Sequence, residues 1–64
     1  MRVMSEVLAI RTKLNLSQAA FARYIGVNQS TVSRWESGKE EPTELYMAGI
    51  RAKAAEYRAD GEAA

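Results

Sequence analysis

The sequence predicts an all-α fold, four helices built around a helix-turn-helix. Three observations lead there. The segment Gln18 to Lys39, QAAFARYIGVNQSTVSRWESGK, orders small, apolar and glycine residues as two helices crossing at a tight turn require. Residues that favour helix starts (Ser5, Ser17, Asn28) alternate with residues that favour helix ends (Asn15, Gly26, Gly38). Apolar residues recur at helical spacing, and no alternating pattern suggests a strand.

The first helix is expected from about Ser5 to Leu14, with Ser5 as its N-cap. Val7, Leu8, Ile10, Arg11 and Leu14 form the i, i+3, i+4, i+7 stripe, and Asn15 ends it. Ser17 caps a second helix that runs through Ile25, and Gly26 and Val27 form the turn. Ala22 stands where two backbones approach closely, and Gly26 where φ > 0 is needed. Asn28 caps a third helix through about Ser37, which Gly38 stops. Phe21, Ile25, Val27, Val32 and Trp35 supply the inward face, so Trp35 is a core residue rather than a stacking platform for bases.

After a loop at Lys39 to Pro42, a long fourth helix is expected. Pro42 is placed in its first turn, with Glu41, Thr43 and Glu44 favourable near the positive end of the helix dipole. Leu45 to Arg58 is alanine-rich and free of proline; Gly49 either weakens this helix or marks a close contact with another. Asp60 to Ala64 reads as a frayed tail, so the domain covers residues 1–59 with the helix-turn-helix at 17–37.

The chain of 64 residues is one small domain, near the lower limit for a self-sufficient core. It has no cysteine, hence no disulfide and no thiolate metal site, and no histidine, the commonest general base and metal ligand. Serines therefore have no histidine to activate them, and nothing builds an oxyanion hole. An enzyme, a metal site and a cofactor are not expected. There is no long apolar run and no signal-peptide core. Met1 followed directly by foldable sequence reads as a cytoplasmic protein, or as one domain of a longer one.

The net charge of +1 hides a division. Residues 1–39 hold six basic side chains against two acidic ones; residues 40–64 hold three against six. One part suits a polyanion and the other is turned away from it.

In a helix-turn-helix the second helix enters the major groove, with its early residues at base edges. Gln29 can bond an adenine edge bidentately and Ser30 a base or a phosphate; Arg34 suits the two acceptors of guanine, with a phosphate contact or a solvated charge as the alternatives. Thr31, one position further round, is assigned to the DNA backbone. Gln18 begins the second helix, where free backbone N–H groups favour a phosphate; Asn28 and Lys39 flank the third. Arg11 and Arg23 are either solvated charges or partners of Glu36.

The segment LNLSQAAFARYIGVNQSTVSRWESGKEEP resembles the helix-turn-helix of Cro and the phage repressors, the XRE-like family. The resemblance covers roughly residues 5–45. It rests on Leu16, Ser17-Gln18, Phe21-Ala22, Ile25-Gly26-Val27, the run Ser30 to Ser33, Trp35-Glu36 and Gly38-Lys39. It implies a lambda-repressor-like helical bundle that binds specific double-stranded DNA, commonly as a dimer on palindromic operators. By the same resemblance Gln29, Ser30 and Arg34 match base-reading positions, and Gln18, Asn28, Ser37 and Lys39 match positions that hold the DNA backbone. The family usually places two short helices after Pro42; here only Gly49 interrupts Thr43 to Arg58. Four helices with a long last one are therefore expected, five at most.

These features describe a prokaryotic or phage transcriptional regulator, a repressor in the simplest case, that occupies its DNA as a homodimer. Leu45, Tyr46, Met47, Ile50, Ala54 and Tyr57 outnumber what one helical face needs. Tyr46, Met47, Ile50 and Tyr57 are the candidate dimer contacts. The alternative is an antitoxin-like interaction module that binds a protein partner through the C-terminal helix, with DNA binding secondary. The polar, uncharged-to-basic outward face of the third helix favours DNA.

Overall fold

The computed structural model describes residues 5–57. It contains α1 (Glu6–Leu14), α2 (Gln18–Ile25), α3 (Gln29–Ser37) and α4 (Glu44–Glu56), and no strand among the described residues. The tail expected at 60–64, and Arg58 as the last residue of the fourth helix, lie outside them.

The helix starts follow from hydroxyl caps. Ser17 Oγ accepts from the Ala20 N–H at 3.0 Å, and Thr43 Oγ1 accepts from the Tyr46 N–H at 3.1 Å. Ser5 Oγ does the same for Leu8 at the longer distance of 3.4 Å. Asn28 departs from expectation. It holds the extended cap conformation, but its side chain makes no capping bond, and it is exposed.

The ends of α1, α2 and α3 share one device. Asn15, Gly26 and Gly38 each adopt the left-handed conformation, with φ of 62°, 85° and 88°. In each case the next N–H closes back on a carbonyl of the last turn: Leu16 on Arg11 at 3.3 Å, Val27 on Ala22 at 2.9 Å, Lys39 on Arg34 at 3.0 Å. Leu16 and Val27 are thereby swung onto the core. Asparagine is the non-glycine residue that best tolerates this region, which explains its use at the first of the three.

The core is Val7, Phe21, Ala22, Val32, Trp35, Met47 and Ile50, with Ile10, Leu14, Leu16, Ile25 and Val27 packed around it. Every helix contributes. The ring of Trp35 meets that of Tyr46 edge-on, centroids 5.6 Å apart. Across the other end of α4, Tyr24 Oη donates to the Lys53 carbonyl at 2.6 Å, and the Tyr24 ring packs edge-on against Tyr57. Arg51 forks onto Glu6 at 2.7 and 3.0 Å, tying α4 to α1; this hydrogen bond holds the exposed Glu6 carboxyl below its usual range.

Three expectations about the last helix change, and one open alternative closes. Pro42 precedes the helix rather than entering its first turn, because Thr43 takes the cap. The helix stops at Glu56, since Tyr57 is drawn into an extended conformation against Tyr24. Of the two readings of Gly49, the close contact falls away and the weakening of the helix stands, because nothing lies within 4 Å of where its Cβ would stand. Met47 and Ile50 are inward, in the chain's own core, and so are not available as dimer contacts. An alanine-rich helix carries little periodic signal, which is why its register was not legible.

Candidate nucleic-acid interface

The geometry of α3 is fixed from below. Val32 and Trp35 are buried, and Thr31 is half-buried beside them. Gln29, Ser30, Ser33 and Arg34 are all exposed on the opposite side. None of these four residues is acidic, and the one carboxylate that reaches them, Glu40, comes from beyond the helix. Asn28 and Lys39, at the two ends, are exposed as well. Ser37 is exposed, but its hydroxyl donates to the Arg34 carbonyl at 3.1 Å.

The helices α1, α2 and α3 are clamped through one carboxylate. Glu36 lies on α3 with a side chain only 8% exposed, and Arg11 on α1 reaches it bidentately, at 2.6 and 3.1 Å. The third donor of Arg11, Nη1, bonds the Leu16 carbonyl at 2.8 Å. Gln18 Nε2, at the start of α2, donates to the same Glu36 at 2.9 Å. Burial alone would raise the Glu36 pKa. The hydrogen bonds from Arg11 and Gln18, with the positive charge of Arg11, outweigh that and leave it below the usual carboxylate range. Of the two partners considered for Glu36, the structure selects Arg11, and Arg23 is exposed.

Gln18 is thus part of the clamp as well as the first residue of α2. One of its amide N–H groups is committed to Glu36, and the second remains for another acceptor. Arg34 is also engaged: its Nε meets Glu40 Oε1 at 3.2 Å, and its Nη2 stands 3.5 Å from Thr31 Oγ1. Glu40 was not singled out by sequence. It lies beyond a left-handed glycine, so no helical spacing connects it to Arg34.

Of the four candidate dimer contacts, Tyr46 lies on the exposed apolar surface of α4, together with Leu45. Leu45 is 84% exposed and Tyr46 41%, both close to the end of α3, whereas Tyr57 packs on Tyr24. Among the described residues no helix is long and apolar enough to cross a membrane, and no cluster of acidic side chains could hold a metal ion.

Comparison with curated proteins and with solved structures finds no match to this chain. A family model described as helix-turn-helix matches residues 7–50, more than half of the chain. The match spans α1 to α3 and the first half of α4, and takes in the capped turn, the exposed α3 face and the Glu36 clamp. The chain belongs to the Cro/C1-type helix-turn-helix family of DNA-binding regulators.

Proposed function

We propose that the protein is a sequence-specific regulator of transcription that reads the major groove with α3 and represses by occupying a promoter. One observation carries this: Gln29, Ser30, Ser33 and Arg34 stand together on the exposed, uncharged-to-basic side of a helix whose other side is locked into the core. Gln29 and Ser30 open the helix, where base edges are reached first; Arg34 follows about a turn later as the donor suited to guanine. Asn28, with its side chain free of a capping duty, and Lys39 hold phosphates on either side. Gln18 adds its second amide N–H, and Thr31 and Ser37 complete the backbone set.

A single small domain makes few contacts, so useful specificity calls for two copies on a symmetric site. Leu45 and Tyr46 supply an apolar patch beside the DNA-reading helix for that pairing. Selection of bound duplexes from a random pool is the direct test. Enrichment of a short motif repeated with two-fold symmetry is the expected result. A pool that remains random after repeated rounds refutes base reading, and a single unrepeated half-site refutes the dimer.

A further inference from the structure

We propose that Glu40 is a specificity-determining residue that positions Arg34 for base reading. Its role rests on the reading of α3 given above. Two independent contacts place Glu40. Its backbone N–H donates to the Arg34 carbonyl at 3.3 Å, part of the cap that Gly38 makes possible. Its carboxylate then accepts from Arg34 Nε at 3.2 Å. The same residue thus holds both the main chain and the side chain of Arg34, so the pairing is built into the turn.

The consequence for recognition lies in which edge of the guanidinium remains. Glu40 occupies Nε, and Thr31, one helical turn earlier, stands at Nη2. The edge formed by Nε and Nη2 is turned to the protein. The terminal edge, Nη1 with the outer N–H of Nη2, has no hydrogen-bond partner among the described residues, and two parallel donors there match the O6 and N7 acceptors of guanine. An arginine without this buttress can offer either edge, or swing to a phosphate. Fixing it removes those alternatives before DNA arrives. The cost is a carboxylate near a polyanion, which weakens binding to every duplex alike. Glu40 therefore exchanges general affinity for discrimination.

The experiment compares wild type, Glu40→Gln and Glu40→Asp on a selected duplex and a scrambled one, at one salt concentration. Glu40→Gln removes the carboxylate's charge; its affinity for the scrambled duplex should rise while the selected-to-scrambled ratio falls about two- to five-fold, the range of an exposed ion pair. Glu40→Asp keeps the charge but is one methylene short, so the ratio should fall with no gain on the scrambled duplex. In the free protein, exchange of the Arg34 Nε–H with water, followed by NMR, should accelerate in both variants. If Glu40→Gln raises both affinities by one factor and leaves the ratio unchanged, Glu40 acts only as a repulsive charge and the proposal is overturned. If wild type itself shows no duplex preference, it is the base-reading function of α3 that fails.

Discussion

Replacing Arg11 by alanine tests the clamp that ties α1 and α2 to α3. The substitution removes three hydrogen bonds at once, two to Glu36 and one to the Leu16 carbonyl. Glu36, 8% exposed in the intact pair, then keeps Gln18 as its one remaining side-chain donor. Stripping one partner from a buried ion pair costs about 3–5 kcal/mol. The Arg11 side chain is 19% exposed, so water reaches the pair in part, and the lower end, about 3 kcal/mol, applies. A domain of this size has roughly 3–10 kcal/mol in total, so this change consumes a third of it or more. At about 4–8 °C per kcal/mol, Tm should fall by about 12–24 °C in a circular-dichroism melt at pH 7.

The pH dependence separates a charge effect from a packing effect. The Glu36 pKa is lowered in the folded protein, so the pair stabilises above the ordinary value of 4.5, and that stability is lost as pH falls through the folded value. In Arg11→Ala the charge and hydrogen bonds that lowered the pKa are largely gone, so acid removes less. The deficit relative to wild type should shrink as pH drops below the ordinary value of 4.5 and through the lowered folded value. A variant that melts within 2–3 °C of wild type, about half a kcal/mol, refutes the reasoning. A deficit of the same size at both pH values refutes its electrostatic part.

Three further outcomes follow from the same geometry. Gly49→Ala should stabilise by about 1 kcal/mol in urea denaturation, because the site is helical, exposed and open beyond 4 Å; a loss of stability shows that the helix packs on something there. Arg34→Ala should lose about 1–3 kcal/mol on a selected duplex and relax one position per half-site, whereas Lys39→Ala should weaken selected and scrambled duplexes by similar factors; equal losses for Arg34→Ala in fluorescence anisotropy reassign it to the backbone. Leu45→Ser, at a residue 84% exposed, should leave Tm unchanged while shifting DNA binding to higher protein concentration and abolishing any dimer in sedimentation; unchanged binding and oligomeric state exclude Leu45 from the interface.

What could be read from sequence were the features encoded within a few residues. Ser5, Ser17, Asn15, Gly26 and Gly38 define caps by local chemistry alone, and the boundaries of α1, α2 and α3 fall where these residues put them. Phe21, Val32 and Trp35 were legible because a helix-turn-helix leaves one side for them. The partnerships of the charged residues were not fixed by spacing. Arg11 and Glu36 are 25 positions apart, and Arg34 and Glu40 face each other across a reversal of the chain. In α4 the alanines blur the periodicity, so the tyrosine and leucine that face outward could not be told from the methionine and isoleucine that face inward. Pro42 and Thr43 competed for the helix start, and the hydroxyl that can satisfy an N–H prevailed.

The three left-handed caps have a consequence for how the chain assembles. Each is a single residue that closes a reversal through neighbours only a few positions away, so α1, α2 and α3 find one another without a long search. Topologies wired this way fold in microseconds to milliseconds. α4 is different, because its ties to the rest, Arg51 to Glu6 and Tyr24 to the Lys53 carbonyl, span 45 and 29 positions. Such contacts close large loops and form after the local ones. In native-state hydrogen exchange α4 would thus open as a unit ahead of the other three, leaving a helix-turn-helix that is briefly intact while the floor beneath Trp35, made by Met47 and Tyr46, is gone.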